Sequence, residues 1–298
     1  MTKKRCAYLT MECTDGWTID AELGFVPMEA LGWQVDAVSW RTEAPDWGGY
    51  DAVYIGVPWD YPEDPEHFLS ILTSIDESSA ILVNDLELVH WGLPKTYLRD
   101  LEERGAAIVP SIWLDDMDGE LLEQAFDAHQ ADRIIVKPVV STNATDTYLL
   151  TRERAGELEA ELASVFCERP FVVQPFIENI QSEGEFSLFY FNCEFSHATL
   201  KVPKPEDFRV QEEYGAELLS IVPESALMET GNRVMQLIDP MPVYARADFV
   251  RGPDGRFLIM ELEMIEPSLY LRMDPDAPQR FADAFDSYVA KKAAEKVQ

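Results

Sequence analysis

Short apolar runs alternate with helically spaced ones through the first 85 or so residues. "RCAYLT", "VDAVSW", "DAVYIG" and "AILVN" read as strands, while "LGFVPMEALGW" and "PEHFLSILTSI" between them read as helices. Such a βαβ series predicts a small parallel sheet with helices on its faces. The next section predicts a helix over "PKTYLRDLEERG", with Pro94 in its first turn and Gly105 as its stop. Strands are expected at "AAIVPSIWL", "RIIVKPVV", "TYLLT" and "PFVVQPFI", with helices near 119–130 and 155–167. From 183 onward "EGEFSLFYF" and "EFSHATLKVP" continue the strand pattern, a hairpin follows, and "PQRFADAFDSYVAKKAAEK" reads as a closing helix. The expected fold class is α/β followed by α+β, with no internal repeat or low-complexity linker.

The hairpin carries the first chemistry. "VYARADFV" (243–250) and "RFLIMELE" (256–263) are joined by the turn signal "RGPDG". A symmetric loop sets Arg251 opposite Arg256, Ala247 opposite Met260, Asp248 opposite Ile259 and Arg246 opposite Glu261. One face is then apolar: Val243, Ala245, Ala247, Phe249, Leu258, Met260 and Leu262. The other carries Arg246, Asp248, Glu261 and Glu263, with Ile259 among them. Like charges roughly 4 Å apart repel by about 4 kcal/mol at an effective dielectric of about 20, which rivals the lower end of a domain's stability. One arginine does not balance three carboxylates. A bound divalent cation would, and oxygen-only ligation suits Mg²⁺ or Mn²⁺; a face open to water would relieve the same repulsion.

Composition limits what such a site serves. The chain has 298 residues, 47% of them hydrophobic, enough for two or three packed lobes. No apolar run reaches membrane-spanning length, and "MTKKRCAYLTMEC" lacks the apolar core of a signal peptide, so a cytoplasmic location is expected. Cys6, Cys13, Cys167 and Cys193 are scattered without CxxC spacing and read as reduced thiols. With 55 acidic against 24 basic residues and a net charge of -31, neither a nucleic-acid nor a membrane partner is expected. Against that background the lysines inside apolar stretches stand out: Lys95, Lys137 and Lys201. Lys137 lies in a strand before Pro138 and the hydroxyl-rich loop "STNATDT", which starts at Ser141. There its ammonium either meets a phosphate alongside loop N–H groups and hydroxyls, or snorkels from the strand end. Lys201 and Arg209 in "LKVPKPEDFRV" suit an anion, or pair with Glu206, Asp207 or Glu212. His197 reads as an ordinary packed or exposed histidine, and no Ser/His/Asp arrangement supports a hydrolase.

The ordered set Lys95, Lys137, "VVQPFI", "GEFS" and the acidic hairpin resembles the ATP-grasp superfamily over nearly the whole chain. Within it, "PWDYPEDPEHFL", "VNDLELVHWGLPKTYL", "IIVKPVVS" and "ELEMIEPSLYL" look most like the D-cycloserine ligase type. The resemblance implies three lobes, at 1–88, 89–177 and 178–298, with ATP between the second and third. It implies that Lys95 and Lys137 meet the ATP phosphates together with the loop at Ser141. Gln174, Pro175, Phe176 and Ile177 would lie along the adenine, and Glu185 on the ribose. Asp248, Glu261 and Glu263 would hold Mg²⁺ (or Mn²⁺), and Arg246, Arg209 and Lys201 would attend the transferring phosphate. The implied activity is ATP-dependent joining of a small amino-acid-like or peptide carboxylate to an amine through an acyl phosphate, within one molecule or between two. A nucleotide sensor and a small-molecule kinase on the same fold are the alternatives, and a homodimer is among the assemblies allowed. Two departures bear on the site, the first on the substrate and the second on the phosphate contacts. Gly56, Val57 and Pro58 precede "WDY" where similar chains often carry an arginine and a serine or threonine, and the loop after Lys137 has no glycine. The role of Glu266 is open.

Overall fold

The chain is described by a computed structural model that covers residues 3–43, 45–205 and 207–296. β1 (Lys4–Thr10), β2 (Trp33–Ser39), β3 (Ala52–Val57) and β4 (Ile81–Val83) form a parallel sheet in the order β2-β1-β3-β4. All six residues of β3 are buried, as an interior strand covered on both faces requires. The helix Pro65–Asp76 covers one face with Phe68, Leu72 and Ile75. Pro65 opens it, and the Asp64 carboxylate accepts a hydrogen bond from the His67 N–H at its N-cap.

β5 (Ile112–Leu114), β6 (Ile134–Pro138), β7 (Tyr148–Leu150) and β8 (Phe171–Pro175) form an antiparallel sheet in the order β5-β8-β6-β7. Ile134 and Val136 of β6 point into a core with Phe126, Phe166 and Phe171, which leaves Ile135 and Lys137 on the opposite face. A third sheet is built from β9 (Glu185–Phe191), β10 (Glu194–Val202), β11 (Glu217–Ser220), β12 (Tyr244–Arg251) and β13 (Phe257–Glu263), in the order β11-β10-β9-β12-β13. The final helix, Ala277–Lys296, returns to the start of the chain. Its Phe281 and Phe285 pack with Tyr8, Trp33 and Tyr54 of the first sheet and Phe189 and Phe191 of the third.

Several expectations need correction. The helix expected from Pro94 begins at Tyr97, because the Lys95 N–H donates to the Val139 carbonyl at 2.7 Å and ties this stretch to the second sheet instead. Gly105 does end it, at φ +92°. The segment expected near 155–167 is two helices, Arg152–Glu157 and Glu159–Val165, broken at Leu158. "AAIVPSIWL" contributes only Ile112–Leu114 as a strand, with Ile108 bridging singly to Ile259.

The hairpin register also differs. Arg246 lies opposite Glu263, Asp248 opposite Glu261, and Phe249 opposite Ile259, so β13 has one extra residue at Met260. This is a β-bulge, and it inverts the expected assignment of two side chains. Ile259 is buried among Ala247, Phe249 and Leu262, while Met260 joins Glu261 on the opposite, cleft-lining side.

Candidate active site

The third sheet lays its polar side chains in a row. Lys201 of β10 pairs in register with Glu185 of β9, and Ser187 of β9 with Asp248 of β12, which in turn faces Glu261 of β13. Gly184, just before β9, allows the approach: at φ +103°, its backbone lies so near Lys201 that a Cβ would sit 2.5 Å from the Lys201 carbonyl oxygen. Lys201 Nζ donates to Glu185 Oε1 at 2.7 Å and lies 3.4 Å from Asp248 Oδ1. Arg246 Nε donates to both Asp248 carboxylate oxygens, at 3.1 and 3.0 Å, and its Nη2 donates to Glu263. The Ser187 hydroxyl also donates to Asp248.

The second sheet and the stretch just before the helix Tyr97–Glu103 face this row with two more cations. Lys95 Nζ donates to Glu261 Oε1 at 2.7 Å and to the Ser141 carbonyl at 2.9 Å. Lys137, on the free face of β6, lines the same cleft and forms no ion pair with a described residue. Lys95, Lys137, Lys201 and Arg246 thus meet Glu185, Asp248, Glu261 and Glu263, so charge balance among these residues needs no metal. The repulsion expected from the hairpin alone is offset by lysines from elsewhere in the fold.

The protonation levels follow from this pairing. Burial alone would raise Glu261, but Lys95 and Lys137 outweigh it and bring the carboxyl down to about 2. Burial raises Glu263 to about 7, where Glu261 and Asp248 add repulsion that Arg246 only partly offsets. Lys137 is lowered by burial, with Glu261 opposing. Lys201 is raised because Asp248 and Glu185 overcome both burial and the neighbouring Arg246.

All of the expected site residues line one cleft: Lys95, Lys137, Ser141, Gln174 to Ile177, Glu185, Lys201, Arg209, Arg246, Asp248, Glu261 and Glu263. Gln174 is buried and donates to the Ser111 hydroxyl at 2.9 Å. Arg209 lies at the rim, with Nη2 donating to Asp207 Oδ2 at 2.9 Å and its guanidinium 3.8 Å from the Tyr214 ring. Its third suggested partner, Glu206, lies outside the described residues. His197 is a packing residue, stacked 4.2 Å from the Phe189 ring, with Nε2 3.0 Å from the Leu269 carbonyl. The glycine-free loop turns with Asn143, Ala144 and Asp146 at positive φ, and Thr142 and Asn143 reach the cleft wall. Sequence reasoning missed Tyr61, Met260 and Tyr270 as lining residues. A signal existed only for Tyr61, in "WDY"; Met260 depends on the bulge, and Tyr270 on a backbone turn at φ 44°.

One carboxylate oxygen each from Asp248, Glu261 and Glu263 lies within 4.8 Å of the others. Three anionic oxygen donors at that spacing fit a hard divalent cation such as Mg²⁺. A family model described as the N-terminal domain of D-cycloserine synthetase DcsG matches residues 6–84. The cycloserine biosynthesis protein DcsG of Streptomyces lavendulae is 26% identical over 290 residues, spanning 91% of this chain and 95% of that protein. The crystal structure of D-cycloserine synthetase DcsG aligns with a TM-score of 0.86 at 24% identity, covering 96% of this chain and 99% of that one. D-alanine–D-alanine ligase from Bacillus anthracis aligns at 0.71 and 13% identity, covering 98% and 99%. The chain has the ATP-grasp fold and is similar to DcsG over nearly its whole length.

Proteins of this fold have been seen with nucleotide and metal: ATP-grasp ligase PsnB is complexed with Mg and ADP, and the Bacillus anthracis D-alanine–D-alanine ligase with ATP. The ATP-grasp cleft of this chain opens between the second and third sheets, with Lys137 on one wall and the acid row on the other. Among the described residues no helix is long and apolar enough to cross a membrane.

Proposed function

We propose that the enzyme activates the carboxylate of a small amino-acid-like or peptide substrate as an acyl phosphate and then joins it to an amine. The observation that carries this reading is the gathering of Asp248, Glu261 and Glu263 oxygens within 4.8 Å in a cleft shared with Lys95, Lys137, Lys201 and Arg246. A site for a neutral ligand would not concentrate both signs of charge in one buried row.

In this reading the lobes are 1–88, 89–177 and 178–298, with ATP between the last two. Lys95 and Lys137 hold its phosphates together with the loop at Ser141. Gln174, Pro175, Phe176 and Ile177 line the adenine, and Glu185 takes the ribose. Asp248, Glu261 and Glu263 would hold Mg²⁺, or Mn²⁺ with the same oxygen preference, which lowers the charge on the phosphates during transfer. Arg246, Lys201 and Arg209 orient and stabilise the oxygens around the transferring phosphorus. A substrate carboxylate oxygen bonds to the γ-phosphorus as the bond to ADP breaks. The amine nitrogen then bonds to the acyl carbon and loses a proton, and phosphate departs with one of the original carboxylate oxygens. When acid and amine belong to one molecule, the same two steps close a ring.

Incubation with ATP, Mg²⁺, candidate amino acids and hydroxylamine tests the reading. Hydroxamate formed together with ADP supports it. ADP with a phosphorylated hydroxyl product points to a kinase, and nucleotide binding without turnover on any substrate points to a sensor.

A further inference from the structure

Glu266 has no part in the nucleotide and metal assignments, yet it is 7% exposed and lines the cleft. It stands apart from the three clustered ligand acids. Among the described residues its carboxyl has no ion pair: Lys95, whose charge acts on it, is committed to Glu261 at 2.7 Å. Its main chain is fixed on several sides. Trp59 Nε1 donates to the Glu266 carbonyl at 2.9 Å, Asn84 Nδ2 donates to the Met264 carbonyl at 2.8 Å, and the Tyr244 hydroxyl lies 2.9 Å from the Ile265 carbonyl. A charged carboxylate held this rigidly in a cleft is costly without a paired cation; among the described residues none pairs with it, and burial together with Glu263 raises it to about 8 against the partial relief from Lys95 and the Tyr61 hydroxyl.

The walls around it agree with a cationic occupant. Trp59 and Tyr61, both buried, line the cleft beside Glu266, and the Tyr61 hydroxyl lies next to its carboxyl. Aromatic faces and a carboxylate together suit an ammonium. The segment that brings them, "GVPWDY" (56–61), contains no basic residue to receive a second carboxylate. The basic side chains Lys137, Lys201 and Arg246 belong instead to the row around Asp248 and Glu261.

We infer that Glu266, walled by Trp59 and Tyr61, is the specificity-determining receptor for an amino group of the substrate, so that the enzyme selects amino acids bearing a free amine over N-acylated acids. The inference rests on the ligase reading but is tested apart from it. The protein is saturated with AMP-PNP and Mg²⁺. Binding of alanine, serine, 2,3-diaminopropionate and glutamine, in both enantiomers, is then compared with that of their N-acetyl derivatives by saturation-transfer NMR and calorimetry. At least one free amino acid binds, and its N-acetyl derivative binds at least about tenfold more weakly. Glu266→Gln weakens the free amino acid by at least about tenfold while the affinity for AMP-PNP stays within twofold, and Glu266→Asp restores part of the preference for the free amine. Equal binding of free and acetylated members, an unchanged Glu266→Gln protein, or no binding by any free amino acid overturns the inference. Selective amine binding without ADP release on addition of ATP leaves the receptor standing and refutes the ligase reading.

Discussion

Glu261→Gln in the ligand-free protein tests the electrostatics of the cleft directly. Three acids on one hairpin suggest that neutralising one should relieve repulsion and stabilise the fold. The structure reverses that sign, because Lys95 at 2.7 Å and Lys137 bring Glu261 down to about 2 from a usual value of 4.5. A shift of that size corresponds to about 3 kcal/mol contributed by the charged form, an upper value because the side chain retains some exposure. The sign follows from linkage. The folded value lies below the unfolded one, so the contribution is present above the unfolded value and is lost as pH falls through it towards about 2. At pH 7.5 the substitution removes the contribution and leaves buried Lys95 and half-buried Lys137 without their main counter-charge. The melting temperature should fall by roughly 5 °C or more. Glu263→Gln is the contrast: its carboxyl is raised to about 7, so at pH 8 losing the charge should leave the melting temperature unchanged or higher. Differential scanning calorimetry without nucleotide reads both. A Glu261→Gln protein as stable as the parent, or more stable, would refute the stabilisation of Glu261 by Lys95 and by the charge of Lys137.

Lys137→Ala should weaken binding of AMP-PNP with Mg²⁺ by about 10- to 100-fold in calorimetric titration, since the cleft gives this lysine no ion pair other than the phosphate it would meet. Asn84→Ala should cost about 3 kcal/mol in urea unfolding, because Asn84 donates to the Tyr244 and Met264 carbonyls at 3.0 and 2.8 Å and accepts from the Val243 N–H at 2.6 Å, all buried. Burial lowers His197 to about 4, below its unfolded value of about 6.5, so the parent should lose about 3 kcal/mol of stability between pH 7 and 4 that His197→Gln does not lose. Parallel pH–stability curves for the two proteins would contradict it.

The elements that position the cleft were legible because each carries its own local signal. β3 is a continuous apolar run, β6 is a short β-branched run with Lys137 set at its end, and the helix Pro65–Asp76 has both a capping Asp and an opening Pro. The acid row was legible by alternation alone, since Arg246, Asp248, Glu261 and Glu263 keep period two on each strand. What alternation could not supply was the bulge at Met260, a backbone event that shifts register without changing the composition of either strand. Nor could it supply the lysines that balance the acids. Lys95 and Lys137 come from segments more than 100 residues away and meet Glu261 only after the sheets pack. The start of the helix at Tyr97 was missed for the same reason, because the Val139 carbonyl competes for the Lys95 N–H.

In the proposed reaction a substrate carboxylate oxygen attacks phosphorus before an amide forms. Labelling that carboxylate with ¹⁸O and analysing the released inorganic phosphate by mass spectrometry reads the step directly. One labelled oxygen is expected in phosphate for each amide made. Unlabelled phosphate, or label retained wholly in the organic product, would contradict it.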